Sequence, residues 1–252
     1  MNKYRHLNPP PQIEEGTVNL TYGVAFFDNV KAKSHAPSRP FISLIKLSDE
    51  QILSLKLSSH NSERFSDYKI STKKYGTSAV MSKNSYVSTN YLYNLNAYDY
   101  IKAGFKLDQK DLMIIYSRII RMFCINASEI TIDQAKLIFK KYMANRFVGI
   151  GSVIRIPYLA ERLFIYEKNE QGYKCLIMHQ TEQDDSQDML RIMKAPIYIN
   201  YDEEIFVDKN EIFYVYQSRS EKELVRLIRE RKYSQEKRKD ALFSKKFTLT
   251  NK

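Results

Sequence analysis

Ser38-Arg39-Pro40-Phe41-Ile42-Ser43-Leu44-Ile45 is an apolar stretch headed by an arginine, and a second one, Ile52 to Leu57, closes on Ser58-Ser59-His60. Both are rich in Ile and Leu and bounded by polar turns, so they read as strands. Neighbours in one sheet, they bring the Arg39 guanidinium and a cluster of hydroxyls to the same sheet end. Such a pair of groups can grip an RNA phosphate.

Working outward, Gly16 to Val24 alternates like a strand, and the polar loop Asp28 to Ser38 separates it from Arg39. Tyr68 to Ser71 reads as a short strand, and Ala79 to Leu95, rich in Val, Tyr and Thr, as one or two more. Asp108 and Asp111 mark a helix start, with Leu112, Ile115, Ile119 and Met122 on one face. Thr131-Ile132-Asp133-Gln134 has the pattern of a capping box, and Ala135, Ile138, Phe139, Tyr142 and Met143 supply the stripe of a second helix.

Strand signals resume at Gly151 to Ile156, then at Leu163 to Tyr166 and Tyr173 to Met178 around the turn Asn169 to Gly172. An acidic loop, Gln180 to Asp188, leads to strands over Ile197 to Asn200 and Ile205 to Tyr216. Ser220 and Glu223 open a last helix, with Leu224, Leu227 and Ile228 facing inward. The second half thus repeats the order of the first. Gly16-Thr17-Val18 corresponds to Gly151-Ser152-Val153, and the segment Ser82 to Val87 to Val207 to Phe213. The expected fold is α+β, mainly β, with an arm at 1–15, domains at 16–124 and 149–240, a helical connector at 125–148 and a basic tail at 241–252.

The 252 residues can bury a sizeable core. A net charge of +11 points to a polyanionic partner, because Lys and Arg release counterions from phosphates, although charge also serves solubility. Cys124 and Cys175 are the only cysteines and both sit in apolar surroundings, which argues against a disulfide framework or a zinc site. The polar start of the chain, with Pro9-Pro10-Pro11, lacks the apolar core of a signal peptide, and no apolar run approaches the about 20 residues needed to span a bilayer. A cytoplasmic protein is expected.

The first half resembles the MazF/PemK/Kid class of toxin ribonucleases, which includes the ToxN-like toxins of RNA-antitoxin systems. The resemblance spans about residues 16 to 122 and rests on ordered pieces: Gly16-Thr17-Val18, Arg39-Pro40, Leu57-Ser58-Ser59, Lys73-Lys74-Tyr75-Gly76, Asn84-Ser85-Tyr86-Val87, Leu95, and Leu107 to Ile120 as the closing helix. It implies a small SH3-like, PemK-type β-barrel, duplicated in tandem. It also implies metal-free, cofactor-free cleavage of single-stranded RNA to 2′,3′-cyclic phosphate and 5′-hydroxyl ends. The implied partners are an RNA substrate and an antitoxin, either an acidic protein or a structured RNA. The expected assembly is a monomeric pseudo-dimer or a homo-oligomer, with no membrane partner. The second half has Leu163-Phe164 where an Arg-Pro is expected, so it is read as a degenerate copy without a site.

Arg39 suits stabilisation of phosphorane charge, and the resemblance adds an acid/base role. Ser58 and Ser59 can donate to a non-bridging oxygen, or simply cap a strand end. His60 offers proton transfer near neutral pH. Asn90 stands where many members of the class carry a carboxylate, and Ser38 where some carry an acid. A barrel that binds nucleic acid without cutting it is therefore the alternative. For RNA binding, Lys31, Lys33, Lys73, Lys74 and Lys83 form a candidate phosphate track, with Asn90 beside it, and Tyr86 and Tyr91 candidate base platforms. Strand packing is the competing role for those tyrosines, and a solvated face for those lysines. The densest basic run, Arg226 to Lys246, reads as a helix followed by an extension that holds RNA, docks an antitoxin, or does neither.

Overall fold

The computed structural model describes residues 12–22, 38–59, 67–78, 80–180, 188–192 and 195–250, with backbone alone for 188–192, 195–196 and 242–250. Lys31, Lys33, His60 and most of the acidic loop lie outside the described residues. The chain divides into two compact units, 1–144 and 145–252. It is α+β, built on antiparallel sheets with four helices among the described residues.

In the first unit, strands β1 (Thr17–Thr21), β2 (Arg39–Lys46), β3 (Gln51–Ser58), β4 (Asp67–Ile70), β5 (Ser85–Ser88), β6 (Tyr93–Asn96) and β7 (Tyr100–Lys106) form one sheet. Its order is β4-β5-β3-β2-β1-β7, with β6 also on β3. Strand β3 divides its partners, pairing Leu57 and Ser58 with β5 and Gln51 to Ser54 with β6. Phe41 to Ile45 of β2 are all buried, because both faces of the strand are covered. On one face Phe41 packs with Leu95, Tyr93 and Tyr100. Helix α2 (Gln109–Cys124) reaches the same strand, its Tyr116 hydroxyl donating to the Leu44 carbonyl at 3.2 Å.

The sheet is not a closed barrel among the described residues. Strands β4 and β7 end the pairing path and do not pair with each other, and β7 is exposed from Ile101 to Gly104, as befits an edge. Sequence reading missed β7, whose lysines and glycine carry no apolar alternation. Gly104 is there because a Cβ would stand 2.5 Å from the Val18 carbonyl oxygen of β1. Helix α2 starts at the Asp108 cap and buries Leu112, Ile115, Ile119 and Met122 as the pattern predicts. Helix α3 (Ile132–Met143) has the capping box in full and packs on α2 within the first unit.

The second unit orders its strands β11 (Asp188–Ile192), β12 (Ala195–Asp208), β10 (Gly172–His179), β9 (Arg162–Lys168), β8 (Val153–Arg155) and β13 (Tyr214–Gln217). Two expected strands, Ile197 to Asn200 and the start of Ile205 to Tyr216, are one long β12, interrupted by a register shift against β10. The residues from Lys209 to Phe213 leave the sheet before β13 begins. The expected tail is helical, since α4 runs Lys222–Thr250. Ile228 is buried, and Leu224, Val225 and Tyr233 pack beside it on the sheet, while Leu227 is exposed. Lys232 anchors the helix, its buried ammonium donating to the Tyr201 carbonyl at 2.9 Å and lying 3.0 Å from Glu204.

Candidate functional site

Antiparallel register decides what gathers at the β2–β3 sheet end. Phe41 lies opposite Lys56 and Ile42 opposite Leu55, so the paired stretch of β2 and β3 ends at Phe41 and Lys56, two residues inside Arg39 and Ser58. Ser58 in turn pairs with Tyr86, and Tyr86 with Lys69. On the other side Arg39 pairs with Thr21, whose buried hydroxyl donates to the Arg39 carbonyl at 3.1 Å. Directly opposed residues share a face of the sheet. Ser58, Tyr86 and Lys69 therefore form one row across three strands, with Ser58 and Lys69 exposed and Tyr86 half-buried, and the exposed Arg39 opens β2 at the same end of the β2–β3 pair. Ser59 follows Ser58 and is exposed. Lys73 and Lys83 are exposed on the connection between β4 and β5, beside this row.

Three other expected residues have partners within the first unit. Lys74, on the single-turn helix α1 (Thr72–Tyr75), is held by Asp108 and, at 3.0 Å, by Asp111. Its hydrogen bonds to the two carboxylates raise its pKa, so its charge is matched within the protein. Asn90 lies past the far end of β5, where its side chain accepts from the Ser88 hydroxyl and its carbonyl from the Glu129 N–H at 2.9 Å. Tyr91 meets Tyr93 edge-on at 4.5 Å, and Tyr93 meets Phe41 at 5.4 Å, while Tyr91 itself is exposed.

The Asp111 cluster is the strongest polar knot of the first unit. The carboxylate is buried and accepts from Tyr68 at 2.8 Å and Tyr75 at 2.5 Å. Burial opposes its ionisation, but the hydrogen bonds from Tyr75, Lys74 and Tyr68 outweigh that and hold its pKa below the ordinary aspartate range. Burial, then the bond to Asp111, pushes the Tyr68 phenol up to about 12. This knot fastens α2 to β4 and α1, the elements that carry Lys69 and Lys73.

Compared with models of protein families and with curated proteins, the chain matches none.

A second polar group escaped sequence reading. His179, the last residue of β10, is buried, and its Nε2 lies 2.8 Å from the Glu203 carboxylate. It borders a cavity of about 370 Å³ with Arg155, Glu161, Arg162 and Ile197. Arg162 rests on the Tyr216 ring, its guanidinium carbon 4.4 Å from the ring centre. The only sequence signal was a histidine closing an apolar strand. Glu203 reaches it because the β12 register breaks between the segments paired with Leu176 and Ile177.

Proposed function

We propose that the protein is an RNA-binding, metal-independent endoribonuclease of the MazF/PemK kind that acts in the cytoplasm as a toxin held by an antitoxin. The observation that carries this reading is that Arg39 opens β2 and Ser58 ends β3, strands paired antiparallel, with Ser58 directly opposite Tyr86, so that a guanidinium, a hydroxyl and an aromatic ring belong to one sheet end. In this scheme Arg39 binds two oxygens of the scissile phosphate, and the Ser58 and Ser59 hydroxyls donate to it. Tyr86 stacks on a neighbouring base, while Lys69 and Lys73 hold the flanking phosphates. The 2′-hydroxyl gives its proton to solvent as its oxygen attacks phosphorus, the P–O5′ bond breaks, and the 5′-oxygen takes a proton from solvent, giving the 2′,3′-cyclic phosphate and a 5′-hydroxyl. Arg39 stabilises the charge that develops on the phosphorane.

We infer further that the two units are tandem copies, and a shared joint supports this. Gly16 and Gly151 both have positive φ, 81° and 86°, and each donates its N–H into the second strand of its own unit, to Ser43 and to Ile165. A Cβ on either would stand 2.7 Å from the fourth residue of the closing helix, Leu112 or Val225. Strand order matches as well, β4-β5-β3-β2-β1-β7 against β11-β12-β10-β9-β8-β13. The pairing of Val18 with Ile42 and of Val153 with Phe164 aligns Arg39-Pro40 with Glu161-Arg162, and Leu163-Phe164 with Phe41-Ile42. The second sequence correspondence fails on this alignment, since Ser85 to Val87 belong to β5, which aligns with β12, whereas their counterparts Glu211 to Phe213 lie past the end of β12.

A non-catalytic RNA-binding protein is the second reading, favoured by Asn90, which stands where the resemblance expects a carboxylate and bonds to Ser88 and Glu129. Expression of the wild type and of Arg39→Ala in a bacterial host separates the two. Growth arrest with RNA cleavage by the wild type alone supports the ribonuclease, and salt-sensitive RNA binding with no cleavage supports the binding protein.

A further inference from the structure

Where α4 begins, the second unit holds an aromatic ring in the open among cations. Phe147 is 54% exposed and Ile150 36%. With Lys168 at the end of β9, Arg219 and Lys222, they line a cavity of about 500 Å³ to which no acidic residue contributes. Arg219 lies over the Phe147 ring, its guanidinium carbon 4.6 Å from the ring centre. Gly149 leaves room for the ring edge, since a Cβ there would stand 3.0 Å from the Phe147 Cζ. The loops that carry the pair are tied to each other: the buried Ser152 hydroxyl donates to the Ser218 carbonyl at 2.6 Å, and the Ser220 hydroxyl to the Gly151 carbonyl at 2.8 Å. The Phe147–Arg219 stack is thus held in place before any ligand arrives.

The cations around it have no carboxylate to answer them. The Lys168 ammonium has the Val148 carbonyl at 3.5 Å and the Tyr173 ring at 5.5 Å, and neither it, Arg219 nor Lys222 forms an ion pair among the described residues. Along α4 the same face continues, with Lys222, Arg226 and Arg229 at i, i+4 and i+7 lining an adjoining hollow of about 300 Å³. Glu230 is the acid of that hollow and lies 3.7 Å from Arg226. The Nε of Arg229 is buried with no hydrogen-bond partner among the described residues. Glu221 and Glu223, exposed at the helix start, line neither hollow.

We propose that this surface of the second unit binds single-stranded RNA, with one base stacked on the Phe147–Arg219 platform and the adjoining phosphates along Lys168, Lys222, Arg226 and Arg229. An unpaired base offers a π-face to an aromatic ring or a guanidinium plane whatever its sequence. Cations without matching acids favour a polyanion, because each phosphate they neutralise releases counterions. The inference rests on the reading of the chain as an RNA-binding protein, and it gives the second unit a task of its own, holding RNA without cutting it.

The test uses the full chain as wild type, Phe147→Leu, Phe147→Trp and the double variant Lys222→Gln with Arg226→Gln, with folding checked by circular dichroism. A fluorescein-labelled single-stranded dodecamer of 2′-O-methyl RNA, which lacks the hydroxyl that cleavage needs, is titrated by anisotropy at several salt concentrations. Phe147→Leu is expected to weaken binding about tenfold and Phe147→Trp to keep it, because the ring supplies stacking rather than bulk. The double variant is expected to weaken binding and to flatten the slope of log affinity against log salt by about 1.4, at about 0.7 per lost phosphate contact. Unchanged affinity and slope in folded Phe147→Leu and in the double variant, with the wild type bound, would overturn this surface and leave the Arg39 reading standing. Failure of the wild type itself to bind would remove both. Weaker binding by Phe147→Leu, together with a wild type that leaves unmodified RNA intact, would support the surface and remove the ribonuclease.

Discussion

Lys74 lies 3.0 Å from the Asp111 carboxylate, and this contact balances the lysine's charge within the protein while fastening α2 to α1. Because the folded pKa of Asp111 is depressed, its ionised form stabilises the fold above the ordinary aspartate pKa of about 3.9. That contribution is lost as pH falls through the depressed value. Urea unfolding of wild type and Asp111→Asn should show a stability gap at pH 7 that narrows below pH about 4. A gap of constant size would remove the pH-dependent role.

Lys232 and Glu204 make the matching anchor in the second unit. Burial disfavours the Glu204 carboxylate, but bonds from Tyr166 and Lys232 and the nearby Lys174 charge hold its pKa low. Replacing Lys232 with Met strands a partly buried carboxylate and should cost about 3 kcal/mol in denaturant unfolding. The double change with Glu204→Gln should recover much of that loss.

The two glycine joints give a test of the repeat. Gly16→Ala and Gly151→Ala each force a side chain into a left-handed backbone and against a helix residue. Each should destabilise by about 1–3 kcal/mol, seen as a lower melting temperature. Equal and sizeable losses fit a shared joint, and an unaffected variant would break the correspondence.

Strand β3 carries a buried hydroxyl pair, Ser54 Oγ with Tyr100 OH at 2.7 Å, and Ser43 and Asn19 continue the chain of bonds. Tyr100→Phe leaves the Ser54 hydroxyl without its strongest partner in the core. A loss of about 1–2 kcal/mol is expected by urea unfolding.

What the sequence disclosed follows its local physics. The caps at Asp108 and Thr131 and the stripes of α2 and α3 were legible because a helix writes its period and its ends into adjacent residues. The Arg39 and Ser58 strands were legible as apolar runs, and the register that opposes them fits the idea that they meet. β7 stayed hidden because an exposed edge strand needs no alternation. His179–Glu203 stayed hidden because a register break, which no single-chain pattern marks, brings the two together. Lys74 looked like a free cation since its carboxylate partners are distant in sequence.

The most direct test of the account is incubation of purified wild type and Arg39→Ala with mixed-sequence single-stranded RNA in excess EDTA, followed by mapping of the ends. The account predicts 2′,3′-cyclic phosphate and 5′-hydroxyl ends from the wild type and intact RNA with the folded variant. Intact RNA with both proteins, or equal cleavage by both, would contradict a ribonuclease centred on Arg39.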